Sequence, residues 1–236
     1  MRRCRVLACL CLFAAPLASQ EATRRFQNQN GTFHLTLPAD WRQLAPGEAR
    51  TIGNDPRAPT ALRLAQPRSF YAVGPVDRWL AGDFAGPWLY VVEGEHEWYV
   101  TDTFAEDLAA MWRQWEAATG ERHEVRDVRR ERVGTQQVEV VTAIGLSPPV
   151  QGRPGVQSLD VHTPAVGRQI TLQFCCAPED FPAMQPTFRT WLSSLTFARV
   201  SKGQPSLGDR LWTPLLTGGV VAIVLLLLYK HTARRR

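Results

Sequence analysis

Hydrophobic and polar positions alternate or recur along this chain in a way that predicts most of its elements. Asn30-Gly31 is a tight-turn signal with Phe26 on one side and the alternating Thr32 to Leu37 on the other, stopped by Pro38, so the segment reads as a hairpin. From Ala45 to Pro87 six prolines interrupt the pattern, which predicts a mostly irregular stretch with one short helix at about 76–80, opened by Pro75 and closed near Gly82. Trp88 to Val92 is a short apolar strand. Phe104, Leu108, Met111, Trp112 and Trp115 recur at helical spacing after Thr103, with Glu106 in the capping-box position, and predict a helix over about 104–118 whose stripe is core. Two hairpins follow. The first pairs 123–133 with 136–145 around Gly134-Thr135, placing Val138, Val140, Thr142 and Ile144 on one face. The second pairs 156–163 with 168–176 around Pro164 to Gly167; Leu159, Val161, Ile170, Leu172, Phe174 and Cys176 face inward, with Asp160, His162, Thr171, Gln173 and Cys175 outward. A closing helix over about 179–195 buries Phe181, Met184, Phe188, Trp191, Leu192 and Leu195, with Pro182 in its first turn and Pro186 a kink.

The two ends carry a different pattern. Leu211 to Tyr229 holds no charged residue; nineteen residues make about 28 Å of helix, close to the hydrocarbon thickness of a bilayer. Trp212 and Tyr229 occupy interfacial positions, and Lys230, His231 and Arg234 to Arg236 mark a cytoplasmic side. Met1 to Arg5 is a basic n-region, Val6 to Ala15 a short apolar run, and cleavage near Ala18 or Ser19 fits a leader. The expected organisation is a signal peptide at 1–19, an extracytoplasmic α+β domain at 20–200, a linker at 201–210, a transmembrane helix at 211–229 and a basic tail at 230–236. The product is a single-pass protein of the cytoplasmic (inner) membrane, domain outside and C-terminus inside. A linker of eight flexible residues, Ser201 to Gly208, reaches about 15 to 17 Å and keeps the domain near the bilayer. A retained signal anchor, or a C-terminal sorting signal that is later cleaved, are the alternatives.

Charge changes meaning under this topology. The formal +5 includes Arg2, Arg3, Arg5, Lys230 and Arg234 to Arg236; removing those seven from 27 basic residues leaves 20 against 22 acidic ones in the exported part. A domain near −2 has no electrostatic footprint for nucleic acid. Only Lys202 and Lys230 are lysine, and the arginine-rich usage fits a GC-rich bacterial genome. Cys4, Cys9 and Cys11 fall in the leader; Cys175 and Cys176 are adjacent, a geometry that disfavours a mutual bridge, and read as two small strand residues facing opposite ways.

Antiparallel strands bracketed by helices mean a sheet covered on at least one face. FQNQNGTFHLTLP from Phe26 to Pro38 followed by Trp41, VGTQQVEV from Val133 to Val140, and FRTWLSSLTF from Phe188 to Phe197 together resemble the PsbP-like superfamily over about Phe26 to Phe197. The resemblance implies an α-β-α sandwich, with an antiparallel sheet flanked by helices, and a role as an accessory, assembly or envelope binding module. The proline-rich insertion before Trp88 and the C-terminal membrane helix depart from that pattern.

Candidate chemistry is sparse. Glu93, Glu95 and Glu97 alternate and would share one face of a strand, a divalent-cation geometry, with His96 turned away; a solvated face is the plainer reading. Asp160 and His162 are neighbours on one strand face, the start of a hydrolytic dyad, yet no Ser or Cys stands in a nucleophile-elbow setting. Arg126, Arg129, Arg130 and Arg132 are interleaved with Glu124, Asp127 and Glu131, a self-compensated exposed strand. Asn30-Gly-Thr32 fits a glycosylation sequon, but the turn needs Asn-Gly anyway. No catalytic, cofactor-binding or metal residue is therefore assigned. The expected function is a non-catalytic, membrane-anchored binding or assembly module with an envelope or membrane protein partner; the alternative is an envelope hydrolase or metal-dependent enzyme using Asp160 and His162 or the Glu93, Glu95, Glu97 cluster. Phe70, Tyr71, Trp79, Phe84 and Trp88, crowded between glycines and prolines, are the expected partner surface, with a lid folded over the sheet edge as the competing arrangement.

Overall fold

The computed structural model describes residues 22–63, 70–94, 103–119, 122–149, 152–163 and 169–200. The leader, linker, spanning segment and tail read above, together with Glu95, His96 and Glu97, lie outside the described residues, as does the turn between the last hairpin strands. Among the described residues no helix is long and apolar enough to cross a membrane.

Strands β1 (Thr23–Gln27) and β2 (Phe33–Pro38) form the expected hairpin, and Gly31 takes the positive φ of 63° that its turn demands. Segment β3 (Arg42–Gln43) leads into α1 (Pro46–Gly53) and α2 (Thr60–Arg63); β4 (Phe70–Gly74), α3 (Val76–Leu80) and β5 (Trp88–Gly94) follow. Then come α4 (Phe104–Thr119), β6 (Glu124–Val133), β7 (Val138–Ser147), β8 (Val156–Thr163), β9 (Gln169–Cys176), α5 (Phe181–Ser193) and β10 (Thr196–Phe197). The proline-rich stretch is thus more ordered than its composition implies. Pro46 occupies the first turn of α1, where its missing N–H costs nothing, and Glu48 caps the start by accepting from the Ala45 N–H at 2.9 Å. Arg42 grips the same carboxylate with two bonds of 2.7 Å, fixing α1 to β3.

Seven strands make one antiparallel sheet in the order β3-β4-β5-β9-β8-β7-β6, and β1-β2-β10 make a second, three-stranded one. The first face of the large sheet carries the residues expected to point inward. Leu159, Val161, Ile170, Leu172, Phe174 and Cys176 pack against α5 and the small sheet through Phe33, Leu35, Phe188, Trp191 and Phe197. Thr36 N–H donates to Ser194 Oγ at 2.8 Å and ties β2 to the end of α5.

The second face is also buried, and this corrects the reading of Asp160, His162, Thr171, Gln173 and Cys175 as outward. All five are buried, Asp160 completely. The reason lies in what covers them. Near β4 and β5, helices α1 to α3 bury Ile52, Leu62 and Trp79 over Ala72, Trp88, Tyr90 and Cys175. Near β7, α4 lays Phe104 and Leu108 over Val141 and Ala143, with Met111 and Trp112 partly buried beside them. Three layers result, helix and small sheet on one side and two separate helical patches on the other.

Candidate functional site

The two helical patches do not meet, and the gap between them is a cavity of about 200 Å³ floored by the second face of the sheet. Trp88, Tyr90, Val92 and Phe70 line it from the β4–β5 side, Met111 and Trp112 from α4, and Pro148, Arg153 and Pro154 from the loop after β7. Its floor is polar: Ser158, His162, Thr171 and Gln173. Strand pleating explains the set, because every second residue of β8 and β9 faces this side, and the register pairs Ser158 with Cys175 and His162 with Thr171.

Beneath the floor lies a hydrogen-bonded line that alternation alone does not reveal. Asp160, without any exposure, accepts from Ser158 Oγ at 2.7 Å, and its other oxygen stands 3.4 Å from His123 Nε2. His123 Nδ1 is 2.9 Å from Ser147 Oγ. With the ring proton on Nε2 donating to Asp160, Nδ1 is left to accept from the Ser147 hydroxyl. Trp112 lies over the His123 ring with centroids 3.9 Å apart. Gly145 makes room for that ring: a Cβ there would come within 2.7 Å of His123 and 2.5 Å of Ser158 Oγ.

Burial opposes the ionisation of Asp160, yet the His123 ring hydrogen-bonded to it holds its carboxyl below the usual carboxylate range. His162 takes a different part from the one expected of it. It does not hydrogen-bond Asp160; its Nδ1 meets Thr171 Oγ1 at 3.1 Å, Phe104 packs on its edge at 5.6 Å, and burial pushes its pKa down to about 4. The dyad read from the sequence is therefore replaced by Asp160 with His123, a partner 37 residues away. Burial likewise drives the Cys175 thiol well above its ordinary pKa, so it lines the cavity as a neutral group. Both cysteines are free, Cys176 packing on the first face and Cys175 on the second.

The other expected sites resolve differently. Glu93 is buried and accepts from Asn28 Nδ2 at 2.9 Å, Asn30 Nδ2 at 3.0 Å and the Tyr71 hydroxyl at 2.7 Å. Among the described residues no cluster of three His, Cys, Asp or Glu side chains is placed to hold a metal ion. Of the five aromatics between Phe70 and Trp88, Tyr71, Trp79 and Trp88 are core and Phe84 is half-buried; Phe70 at 37% exposure is the one that reaches solvent, at the rim of the cavity. Trp79 closes over Gly74 and Trp88 as α3 folds back on β4, whereas Tyr71 is buried in the core of the first face. The charged strand β6 is exposed as expected, with Arg126 on Glu124 at 2.6 Å, and it carries a bulge between Arg126 and Arg129 at which Asp127 takes a φ of 51°.

Sequence reasoning missed Ser147, His123, Arg122 and Arg153. The pairing register would have found Ser147, since β7 sets Val141, Ala143, Gly145 and Ser147 on the second face opposite His162, Asp160, Ser158 and Val156. His123 precedes β6 and had no periodic signal.

No protein-family model matches this chain, and no curated protein matches it. Its structure is similar to the solution structure of cyanobacterial PsbP (CyanoP) from Synechocystis sp. PCC 6803, with a TM-score of 0.51 and 13% identity over 79% of this chain and 98% of that one. A crystal structure of a Pseudomonas aeruginosa protein of unknown function, described as a putative regulator, aligns with a TM-score of 0.35 and 10% identity over 76% of this chain and 99% of that one. The first likeness shows a PsbP-like α+β fold, in agreement with the resemblance drawn from Phe26 to Phe197.

Proposed function

We propose that this chain is an extracytoplasmic binding module of the cell envelope, tethered by its C-terminal apolar segment, and that it binds a small, largely apolar ligand in the cavity above the sheet. The observation that carries this reading is the cavity itself. A well-packed domain of this kind has no reason to hold two helical patches apart over polar side chains, and a concave site with aromatic walls and a few convergent polar groups is the usual form of a small-molecule site. A cavity of about 150 Å³ accommodates benzene, so 200 Å³ suits a single ring or a chain of similar bulk.

Titration of the full chain with indole, followed through the indole N–H resonances of Trp88 and Trp112, tests the site. Saturable shifts at both are expected; an unperturbed spectrum at millimolar indole removes the cavity as a binding site. The tether is tested separately by protease added outside the cytoplasmic membrane, which should digest an epitope in the domain and spare one fused after Arg236. A protected domain sinks that topology.

A second reading, hydrolysis, is favoured by the line from Ser147 through His123 to Asp160, which has the connectivity of a nucleophile, its base and an orienting carboxylate. Against it, Ser147 is followed by Pro148 and Pro149, neither of which has the backbone N–H that would help stabilise an oxyanion. A fluorophosphonate probe decides: under the binding reading Ser147 stays unlabelled in the folded chain, and a Ser147 adduct that disappears in Asp160→Asn makes the protein an enzyme.

A further inference from the structure

Tyr90 and Gln173 stand directly opposite one another on β5 and β9, and both line the cavity. Each is 8% exposed. Gln173 accepts from the Cys175 thiol at 3.4 Å through its main-chain carbonyl, but among the described residues its carboxamide has no hydrogen-bond partner. The Tyr90 hydroxyl has none among them either, in contrast to Tyr71, whose hydroxyl donates to Glu93. Their polar neighbours on the floor are engaged: Ser158 donates to Asp160, and Thr171 meets His162. Asp160, opposite Gln173 on β8, is turned to Ser158 and His123. Native interiors match nearly all of their buried amides and phenols, so two unmatched neighbours at one cavity point to what the cavity takes.

The chemistry of this pair narrows the occupant. A carboxamide presents a donor and an acceptor side by side in one plane, and a phenol adds a second donor. Burial raises the Tyr90 pKa above its ordinary value, so the hydroxyl keeps its proton. A ketone or ether has nothing to donate to Gln173 Oε1, and an ammonium has nothing to accept from Gln173 Nε2. A hydroxyl carries its donor and acceptor on one atom and cannot make both parallel bonds. An amide matches all three groups: its N–H donates to Gln173 Oε1, while the two lone pairs of its carbonyl accept from Gln173 Nε2 and the Tyr90 hydroxyl. Trp88 stands edge-on to the Tyr90 ring at 6.2 Å, and the two form the aromatic wall that receives a ring.

Resting on the binding reading above, we infer that the ligand is a neutral single-ring carboxamide or lactam, its ring against the aromatic wall and its amide paired with Gln173 and Tyr90. Gln173 and Tyr90 are then the residues that set specificity, because a ligand lacking either half of the amide leaves a buried group of the site unpaired.

The test uses three probes of similar shape, benzamide, acetophenone and cumene, followed by calorimetry and by the Trp88 and Trp112 resonances of the full chain. Gln173→Met should weaken benzamide about tenfold, weaken acetophenone less, and leave cumene as tight or tighter. Tyr90→Phe should weaken benzamide and acetophenone by the same factor, about fivefold, and spare cumene. Both variants should keep the native melting temperature, since neither removes a bond that the ligand-free fold makes among the described residues. If Gln173→Met does not fold, Tyr90→Phe decides alone, and unchanged benzamide affinity in it overturns the pairing. If cumene binds but benzamide binds native chain and Gln173→Met alike, the cavity is a binding site and the amide inference is wrong. If none of the three probes shifts either resonance, the binding reading falls and takes this inference with it.

Discussion

Asn30 donates its side-chain amide to Glu93 at 3.0 Å, joining the tip of the first hairpin to the fifth strand across 63 residues of sequence. Each residue has another reading in isolation, a glycosylation acceptor and a metal ligand. Together they are a latch: Asn28 and Asn30, between β1 and β2, donate to the same buried carboxylate and hold the small sheet to the large one, while Tyr71 donates to it from the neighbouring strand of the large sheet.

The latch predicts an asymmetry between two conservative changes. Tyr71→Phe keeps the ring, which is buried in the first-face core, and removes one donor from Glu93, so it should cost about 1 to 3 kcal/mol in chemical denaturation. Phe70→Ala, next in sequence but exposed, should cost less than about 1 kcal/mol. Equal losses at the two positions would mean that Glu93 does not draw on the Tyr71 hydroxyl.

Trp191 sits edge-on to Trp41 at 4.9 Å and packs against Phe188 at 5.6 Å and Phe174 at 6.3 Å, linking α5 to the strand segment after β2 and to the large sheet. Trp191→Ala should therefore destabilise by about 3 to 5 kcal/mol. A loss under about 1 kcal/mol in urea titration would show that the aromatic cluster is not cooperative with the fold.

Acid stability should carry the mark of His162. Burial lowers its folded pKa to about 4 while the unfolded chain takes up the proton near 6.5, so the unfolded state gains protons first and stability falls as pH drops from about 6.5 to 4. The loss approaches roughly 3 kcal/mol at 1.36 kcal/mol per tenfold change in proton affinity. Asp160 works in a lower window: its folded carboxyl is held below the ordinary value, so its contribution is present above about pH 3.8 and is lost below that. His162→Gln should flatten the slope between pH 6.5 and 4 and leave the lower limb. An unchanged slope in that variant would assign the effect to another group.

What could be read from the chain and what could not divides along a physical line. Alternation and helical spacing report which residues share a face, and Leu159 to Phe174 on one side and the Phe104 to Trp112 stripe are placed accordingly. They do not report whether the opposite face is also covered, because Asp160 and His162 look the same to a periodicity whether they meet water or α4. On the β4–β5 side of that face the covering helices α1 and α2 are short and start at or just after prolines, so the residues that end structure elsewhere begin it here. The spanning segment and leader have clear signatures but fall outside the described residues. The cavity was illegible for a further reason: it is made by two patches failing to meet, and a gap has no residue pattern of its own.

The His123 to Asp160 contact sets the last expectation. Asp160 is completely buried, and among the described residues the groups bonded to its carboxylate are His123 and Ser158. Removing the ring by His123→Ala leaves a buried charge without its main partner and should cost about 3 to 5 kcal/mol, more than the ring's packing against Trp112 alone would contribute. Asp160→Asn keeps the shape and removes the charge, and the double variant His123→Ala with Asp160→Asn should recover a large part of the loss, giving a coupling of at least about 1.5 kcal/mol in a thermodynamic cycle. Additive losses would mean that Asp160 is neutral in the folded chain; its carboxyl would then be a donor, the Nε2 proton of His123 would have no anion to point at, and the line from Ser147 would lose its charged end.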